Sequence, residues 1–519
     1  MSLTRRALIK LLAGAVPAFK TARALGAGDS VPPVQPGPFR ATRESLRAYR
    51  VPEWFRDAKF GIWAHWGPQS AAEYGDWYAR NMYIQGQWQY EHHVKTYGHP
   101  SRFGFKDIIP TWKAARFDAD HLVGLYKRAG ARYFVSLGVH HDNFDLWDSK
   151  HQRWNSVRMG PRRDIVGEFR RAALRHGLRF GVSEHLSMSY KWFSVSHGSD
   201  KEGPLAGVPY DGADPRYADL YHDIKEVYVD LPWNLDHTSE AFKRVWYLRV
   251  RDLVDKYRPD ILYTDGEIPF GDFGLMQTAN LYNLSAARHG GRVEAVQLSK
   301  KREDCEVGTC VMDVERGVVE TVWPAPWQSH TCVGNWHYLK GGTYKSPKTV
   351  IDMLVDVVSR NGNLLLNFPL PNDGMLDAEE LKILSAITDW MRVNGEAIHD
   401  TRPWKIYGTG PASAAAPGAD AKFNESKRRE LTAEDIRFTR KGQTLYAFFM
   451  GWPERGEVNV ASLATPGGLA AGRVGSVRLL GSPGELKWSQ DAEGLKVRLP
   501  EGRPGSHAFA LKVEGLRLD

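Results

Sequence analysis

Cysteine is scarce in this chain. Its 519 residues contain three, Cys305, Cys310 and Cys332, an odd number too small for a disulfide framework, so the fold has to rest on apolar packing. A Cys305–Cys310 bridge is open to a protein in an oxidising compartment, and the sequence alone does not establish it. Long hydrophobic runs are also missing: nothing downstream of the N-terminal segment approaches the ~18 to 20 apolar residues of a membrane span. Acidic residues are absent before Asp29. That first stretch carries Arg5-Arg6 ahead of a short apolar run from Leu11 to Phe19, and Ala22-Arg23-Ala24 has the small-x-small form of a cleavage site. This is the pattern of a twin-arginine export signal, which would deliver a folded protein to the periplasm or outside. Its removal takes five positive charges with it (Arg5, Arg6, Lys10, Lys20, Arg23), lowering the formal charge from +8 to +3. The remaining charge is too small for a nucleic-acid footprint.

What is present is a 42% apolar chain with 18 Trp, long enough for two or three domains. Apolar runs alternate with amphipathic helical segments. Trp54 to Gly67 reads as a first strand, followed by a long aromatic rim from Pro68 to Lys113. Tyr133 to Val139 reads as a buried strand, and Leu178 to Val182 and Ile261 to Thr264 read likewise. Val293 to Leu298 and Gly317 to Val322 read as weaker strands, and Leu364 to Phe368 as a buried one. Asp118, Asp164, Ser346 and Asp377 each stand where a helix opens or is capped, and Ser239 to Tyr257 reads as a strong helix. The alternation predicts an irregular (β/α)8-like TIM barrel over residues 29–400, after a leader over residues 1–28. From residue 401 short alternating strands separated by Gly/Pro turns predict a C-terminal β-sandwich.

The chemistry gathers where strands end. Tyr133–Val139 breaks into His140, His141 and Asp142; the first strand ends at His65, the third at Ser183, Glu184 and His185, and Ile261–Thr264 at Asp265. In a barrel such ends converge on one face. His65, His140, His141, Asp142 and Asp265 would also serve as a metal-ligand set for a hydrolase. Adjacent histidines rarely reach one ion together, so a site without metal or cofactor is the expectation. Abundant aromatics suit a sugar-handling protein, where flat rings stack on sugar faces.

Several motifs are long enough to be specific. Ala58-Lys59-Phe60-Gly61-Ile62, His65-Trp66-Gly67, Asp76-Trp77-Tyr78, His140-His141-Asp142 and Trp154-Asn155-Ser156-Val157 resemble, in order, the α-L-fucosidases of glycoside hydrolase family 29. Asn361-Gly362-Asn363-Leu364-Leu365-Leu366-Asn367 extends the likeness toward Thr401. The resemblance implies an exo-acting retaining hydrolase of fucosylated oligosaccharides or glycans, with Asp265 as nucleophile. It favours Glu315 as acid/base, with Glu267 and Glu184 as alternatives. It also places His65, Asp76, Trp77, His140 and His141 on the sugar. Ser183 and Tyr263 stand where the family often has other aromatics, and with Glu184 they are expected to face the substrate. These departures leave α-L-galactose, or a homologue that binds sugar without cleaving it, as alternatives.

Overall fold

The computed structural model describes residues 31–230, 233–236, 238–413 and 423–518. The twin-arginine segment lies outside the described residues. Eight strands form a closed, wholly parallel barrel in sequence order: β1 Phe60–Ala64, β2 Tyr133–Val139, β3 Arg179–Glu184, β4 Ile261–Thr264, β5 Val296–Ser299, β6 Val311–Glu315, β7 Trp327–Cys332 and β8 Gly362–Asn367. β8 pairs back on β1, with Leu366 opposite Ile62. The barrel interior is filled with side chains. A Cβ on Gly61 would sit 2.3 Å from the ring of Tyr133, whose hydroxyl donates to Gln328 Oε1 across the barrel at 2.9 Å.

The longer helices start where capping residues predict. Asp118, Asp164, Ser239 and Ser346 each accept a backbone N–H from the first turn of helices Ala119–Arg128, Ile165–Arg175, Glu240–Tyr257 and Pro347–Ser359. Asp377 and Glu380 form a reciprocal capping box on Ala378–Asn394. The barrel is irregular because β1 and β2 are joined by several short helices, and β6 and β7 by no helix at all.

Three strand expectations change. Residues 53–58 form a short helix, and only Phe60–Ala64 is strand. Gly317 to Val322 is not a strand; the chain pairs earlier, at Val311–Glu315. The strand read at Val293 begins three residues later, at Val296. β7, Trp-Gln-Ser-His-Thr-Cys, escapes hydrophobic periodicity altogether, because its polar residues are buried by position in the barrel and bonded to neighbours there.

Beyond the barrel lie β9 Arg402–Thr409, β10 Ile436–Lys441, β11 Thr444–Phe449, β12 Glu457–Val460, β13 Ala471–Leu479, β14 Lys487–Asp491, β15 Gly494–Arg498 and β16 Phe509–Arg517. They make antiparallel sheets in the orders β13-β16-β11-β10-β9 and β12-β15-β14. Trp404, Phe438, Phe449, Leu495, Val497 and Leu511 belong to their common core. This domain is tied to the barrel by a buried ion cluster. Asp356, on the helix Pro347–Ser359, contacts Arg360, Arg428 and Arg437, and is itself fully buried.

Candidate active site

The C-terminal ends of the barrel strands open into a cleft of about 1090 Å³. Asp265 follows β4 at its floor, 8% exposed. Gly266 after it adopts φ 112°, which glycine allows without Cβ strain, and its carbonyl accepts the Lys300 N–H at 2.7 Å. That turn brings the Lys300 ammonium, just past β5, onto Asp265 Oδ1. The same ammonium contacts Glu315 Oε2 at the end of β6. Tyr263 donates its hydroxyl to Asp265 Oδ1 at 3.0 Å, while His185 Nδ1 and His141 Nε2 lie 3.1 and 3.4 Å from Oδ2.

Burial alone would raise the Asp265 carboxyl; the Lys300 ammonium, followed by His185 and His141, outweighs it and holds the group well below the usual carboxylate range. Glu315 is also lowered: burial and the Asp265 charge raise it, and Lys300 with His330 prevail. Both carboxyls are therefore ionised when this lysine sits between them. His330 Nε2 is 4.0 Å from Glu315, and its Nδ1 is 2.5 Å from Asp313, which accepts from Gln328 Nε2 at 2.8 Å.

One wall is imidazole. β2 ends at Val139, and its register on β3 slips between Leu137 and Val139; the consecutive His140 and His141 therefore both reach the cleft. The Gln69 amide donates to His140 Nδ1 at 2.7 Å, which leaves the ring hydrogen on Nε2. His65 has its backbone N–H held by Asn367 Oδ1, yet neither ring nitrogen has a protein partner. His185 Nε2 and His337 Nε2 are likewise unpartnered, while His337 Nδ1 is bonded to Asp76 at 2.7 Å. Burial, before any charge effect, drives His65 and His140 well below their usual pKa and His185 to about 4. Neutral rings with one donor and one acceptor each suit hydroxyl groups.

Of the expected site residues, His65, Asp76, Trp77, His140, His141, Tyr263, Asp265 and Glu315 line this cleft. Ser183 and Glu184 do not. Glu184 is fully buried outside it, its carboxylate accepting from Trp246 Nε1 at 3.1 Å and Leu186 N at 3.0 Å. Strand alternation explains the correction: Glu184 pairs with Thr264, whereas Ser183 pairs with Tyr263 and is completely buried in the barrel. Glu267 reaches only the cleft's outer part, where it pairs with Lys301. Phe144 and Trp147 pack behind the wall, Trp147 donating to Asp252. His185, read from sequence as a third-strand end, lines the cleft as well, and the structure adds Lys300, His330 and Trp336. Applying the strand-end rule to β5 would have found Lys300; His330 was hidden in the unread β7.

The metal-ligand set read from sequence is not assembled. Among the described residues, the groupings that do bring ligand atoms within 4.8 Å of one another are His65, Asp76, His140 and His337, and His140, His141 and His185. Asp142 instead accepts the Phe144 N–H at 3.3 Å. In the first grouping Asp76 is committed to His337 and His140 Nδ1 to Gln69.

The family model described as alpha-L-fucosidase matches residues 29–396, and the model of the alpha-L-fucosidase C-terminal domain matches residues 428–514. The chain belongs to the α-L-fucosidase family. It is thus a glycoside hydrolase. It is 28% identical over 512 residues to the human tissue α-L-fucosidase, covering 95% of this chain and 96% of that one. The human plasma α-L-fucosidase is 27% identical over 480 residues, with 89% of each covered. A Thermotoga maritima α-fucosidase solved with a mechanism-based inhibitor superposes with a TM-score of 0.71 at 25% identity, covering 92% of this chain and all of that one.

Proposed function

We propose that this α-L-fucosidase is exo-acting and retaining, releasing terminal L-fucose from glycans through a covalent fucosyl-Asp265 intermediate. The observation that carries this reading is the shared lysine. One ammonium touches both Asp265 and Glu315, so the contacted oxygens are at most about 6 Å apart, twice a hydrogen-bond length. Retaining pairs stand ~5 to 5.5 Å apart and inverting pairs ~6.5 to 9.5 Å, because inversion needs room for water.

In the first step an Asp265 oxygen attacks the anomeric carbon, the glycosidic C–O bond breaks, and the Glu315 proton passes to the leaving oxygen. In the second, water attacks the same carbon, the ester bond to Asp265 breaks, and Glu315 takes the water's proton. The sugar has to enter where Lys300 bridges the carboxylates. Its arrival breaks the Lys300–Glu315 contact; burial and the Asp265 charge, which raise the Glu315 carboxyl, are then opposed by His330 alone, and the group moves up toward the protonated form that an acid requires. Once Asp265 is esterified its charge is gone, and Glu315 falls again to act as base. His65, His140 and His185, all neutral at pH 7, read the sugar hydroxyls. No metal takes part in these steps, and full activity in excess chelator is the expected result.

Export by the twin-arginine route belongs to the same proposal; a Cys305–Cys310 bridge joins the two cysteines, as an oxidising compartment permits. Among the described residues no helix is long and apolar enough to cross a membrane. The test of function is hydrolysis of 4-nitrophenyl α-L-fucoside beside the α-L-galactoside by wild type and Asp265→Gly. Fucoside turnover by wild type, its loss in the variant and its partial return with azide are expected. Preference for the galactoside would reassign the substrate, and a folded variant without azide rescue would remove Asp265 as nucleophile.

A further inference from the structure

Exposed apolar surface rimmed by polar residues marks ligand-binding grooves. Among the described residues the two most exposed ones are Phe423 at 59% and Trp233 at 54%, and both line the same cleft as Asp265 and Glu315. They come from distant parts of the chain, Trp233 from the long β3–β4 connection and Phe423 from the β9–β10 connection of the C-terminal domain. A third ring, Trp323, lies beyond β6 on the same cleft, with the Arg302 guanidinium 4.8 Å from its centre.

Phe423 is exposed but not loosely held. Its N–H donates to the carbonyl of Glu315 at 2.9 Å, and the Glu425 N–H to that of Arg316 at 2.9 Å. The buried Asn424 side chain accepts from Val318 N at 3.1 Å and donates to Val318 O at 3.0 Å. The Glu425 carboxylate takes the Thr331 hydroxyl at 2.6 Å and the Lys345 ammonium at 2.7 Å. Phe423 itself holds φ 53°, unusual for a bulky residue and maintained by this anchor. An exposed ring is thus fixed to the strand end that carries Glu315, the side from which the leaving group is protonated. The rim charges nearby are of both signs, Asp236, Glu267, Glu303 and Glu320 with Lys301 and Arg302, so the mouth mixes charge with aromatic faces.

We infer that Phe423 and Trp233 form a second subsite, in which the pyranose ring next to the scissile bond stacks during cleavage, and that the C-terminal domain thereby takes part in substrate selection. A pyranose fits because it offers an apolar C–H face to an aromatic ring and hydroxyls at its edge to charged neighbours. This inference rests on the hydrolase reading above. It deepens that reading by naming what holds the leaving group.

The test compares kcat/KM on α-L-fucosyl fluoride, whose leaving group is too small to reach the rim, with kcat/KM on an α-L-fucosyl-galactose disaccharide. In Phe423→Ala and Trp233→Ala the ratio of disaccharide to fluoride is expected to fall about tenfold in each, the size of a truncated aromatic anchor. Phe423→Trp should restore it. Both positions are exposed, so folding is expected to survive the changes, and circular dichroism would check it. A ratio that stays within twofold of wild type in both alanine variants would overturn the inference. Failure of wild type to turn over the fluoride would overturn the hydrolase reading and the subsite with it.

Discussion

Two of the buried clusters that set carboxylates against cations among the described residues are built to opposite ends. At the seam between barrel and sandwich, Asp356 faces three guanidinium groups, from Arg360, Arg428 and Arg437. Burial raises its carboxyl, but the three arginines overwhelm that effect and drive it far below the ordinary range. Arg360 also lies over the Tyr407 ring at 3.4 Å. At the cleft the proportions are reversed: two carboxylates share one lysine, and the histidines around them keep ring nitrogens with no protein partner. The seam is complete without any ligand. The cleft is incomplete, and its remaining capacity matches a neutral polyol. Burial and charge are present in both; the unspent hydrogen-bonding capacity is what separates a fastening from a site.

Breaking the cleft should change chemistry with little change in fold. Glu315→Gln is expected to lower kcat on a fucosyl disaccharide by about 10²- to 10⁴-fold, with a smaller fall on an activated aryl fucoside whose leaving group needs no proton. Equal losses on both substrates would point to another acid. Breaking the seam should do the reverse. Asp356→Ala leaves buried cations unpaired and is expected to cost about 3 to 5 kcal/mol in denaturant unfolding, with kcat retained below the transition. A change under ~1 kcal/mol would show that the arginines find other partners.

Glu184 sharpens the contrast, being a buried carboxyl in the barrel wall with no cation. Burial pushes it up to about 7, against the bonds from Trp246, Thr264 and Leu186. A folded-state pKa above the unfolded one means the native state holds the proton longer, so this group costs stability as pH rises from about 4.5 to 7. Glu184→Gln should remove that cost, on the order of 3 kcal/mol at pH 8 and almost nothing at pH 4.5. Equal effects at both pH values would contradict this account. The smallest effect is expected at the recognition wall: His140→Ala should lower kcat/KM roughly tenfold, mostly through KM, by removing one hydrogen bond to a sugar hydroxyl. An unaltered KM would place His140 outside the sugar's reach.

Much of this was legible in the sequence, for reasons that can be named. Asp118, Asp164, Ser239, Ser346 and Asp377 announced their helices because capping is local chemistry. β2, β4 and β8 were apolar enough to read as strands. β7 was not, since Gln328 and His330 are polar residues whose partners, Tyr133 and Asp313, come from other strands. Strand ends pointed to His65, His140, His141 and Asp265, and family likeness to Glu315. The side on which Glu184 would fall was hidden, because a one-residue uncertainty in where a strand pairs exchanges inside for outside. The anchoring of Phe423 on Glu315 joins residues 108 positions apart in the chain, and nothing local in either segment encodes it.

On the proposed mechanism Asp265 and Glu315, joined through Lys300, work by double displacement. Proton NMR of the first sugar released from an α-L-fucoside, recorded before mutarotation, tests it most directly. Retention gives α-L-fucose as the initial product; β-L-fucose appearing first would establish inversion and remove Asp265 as nucleophile.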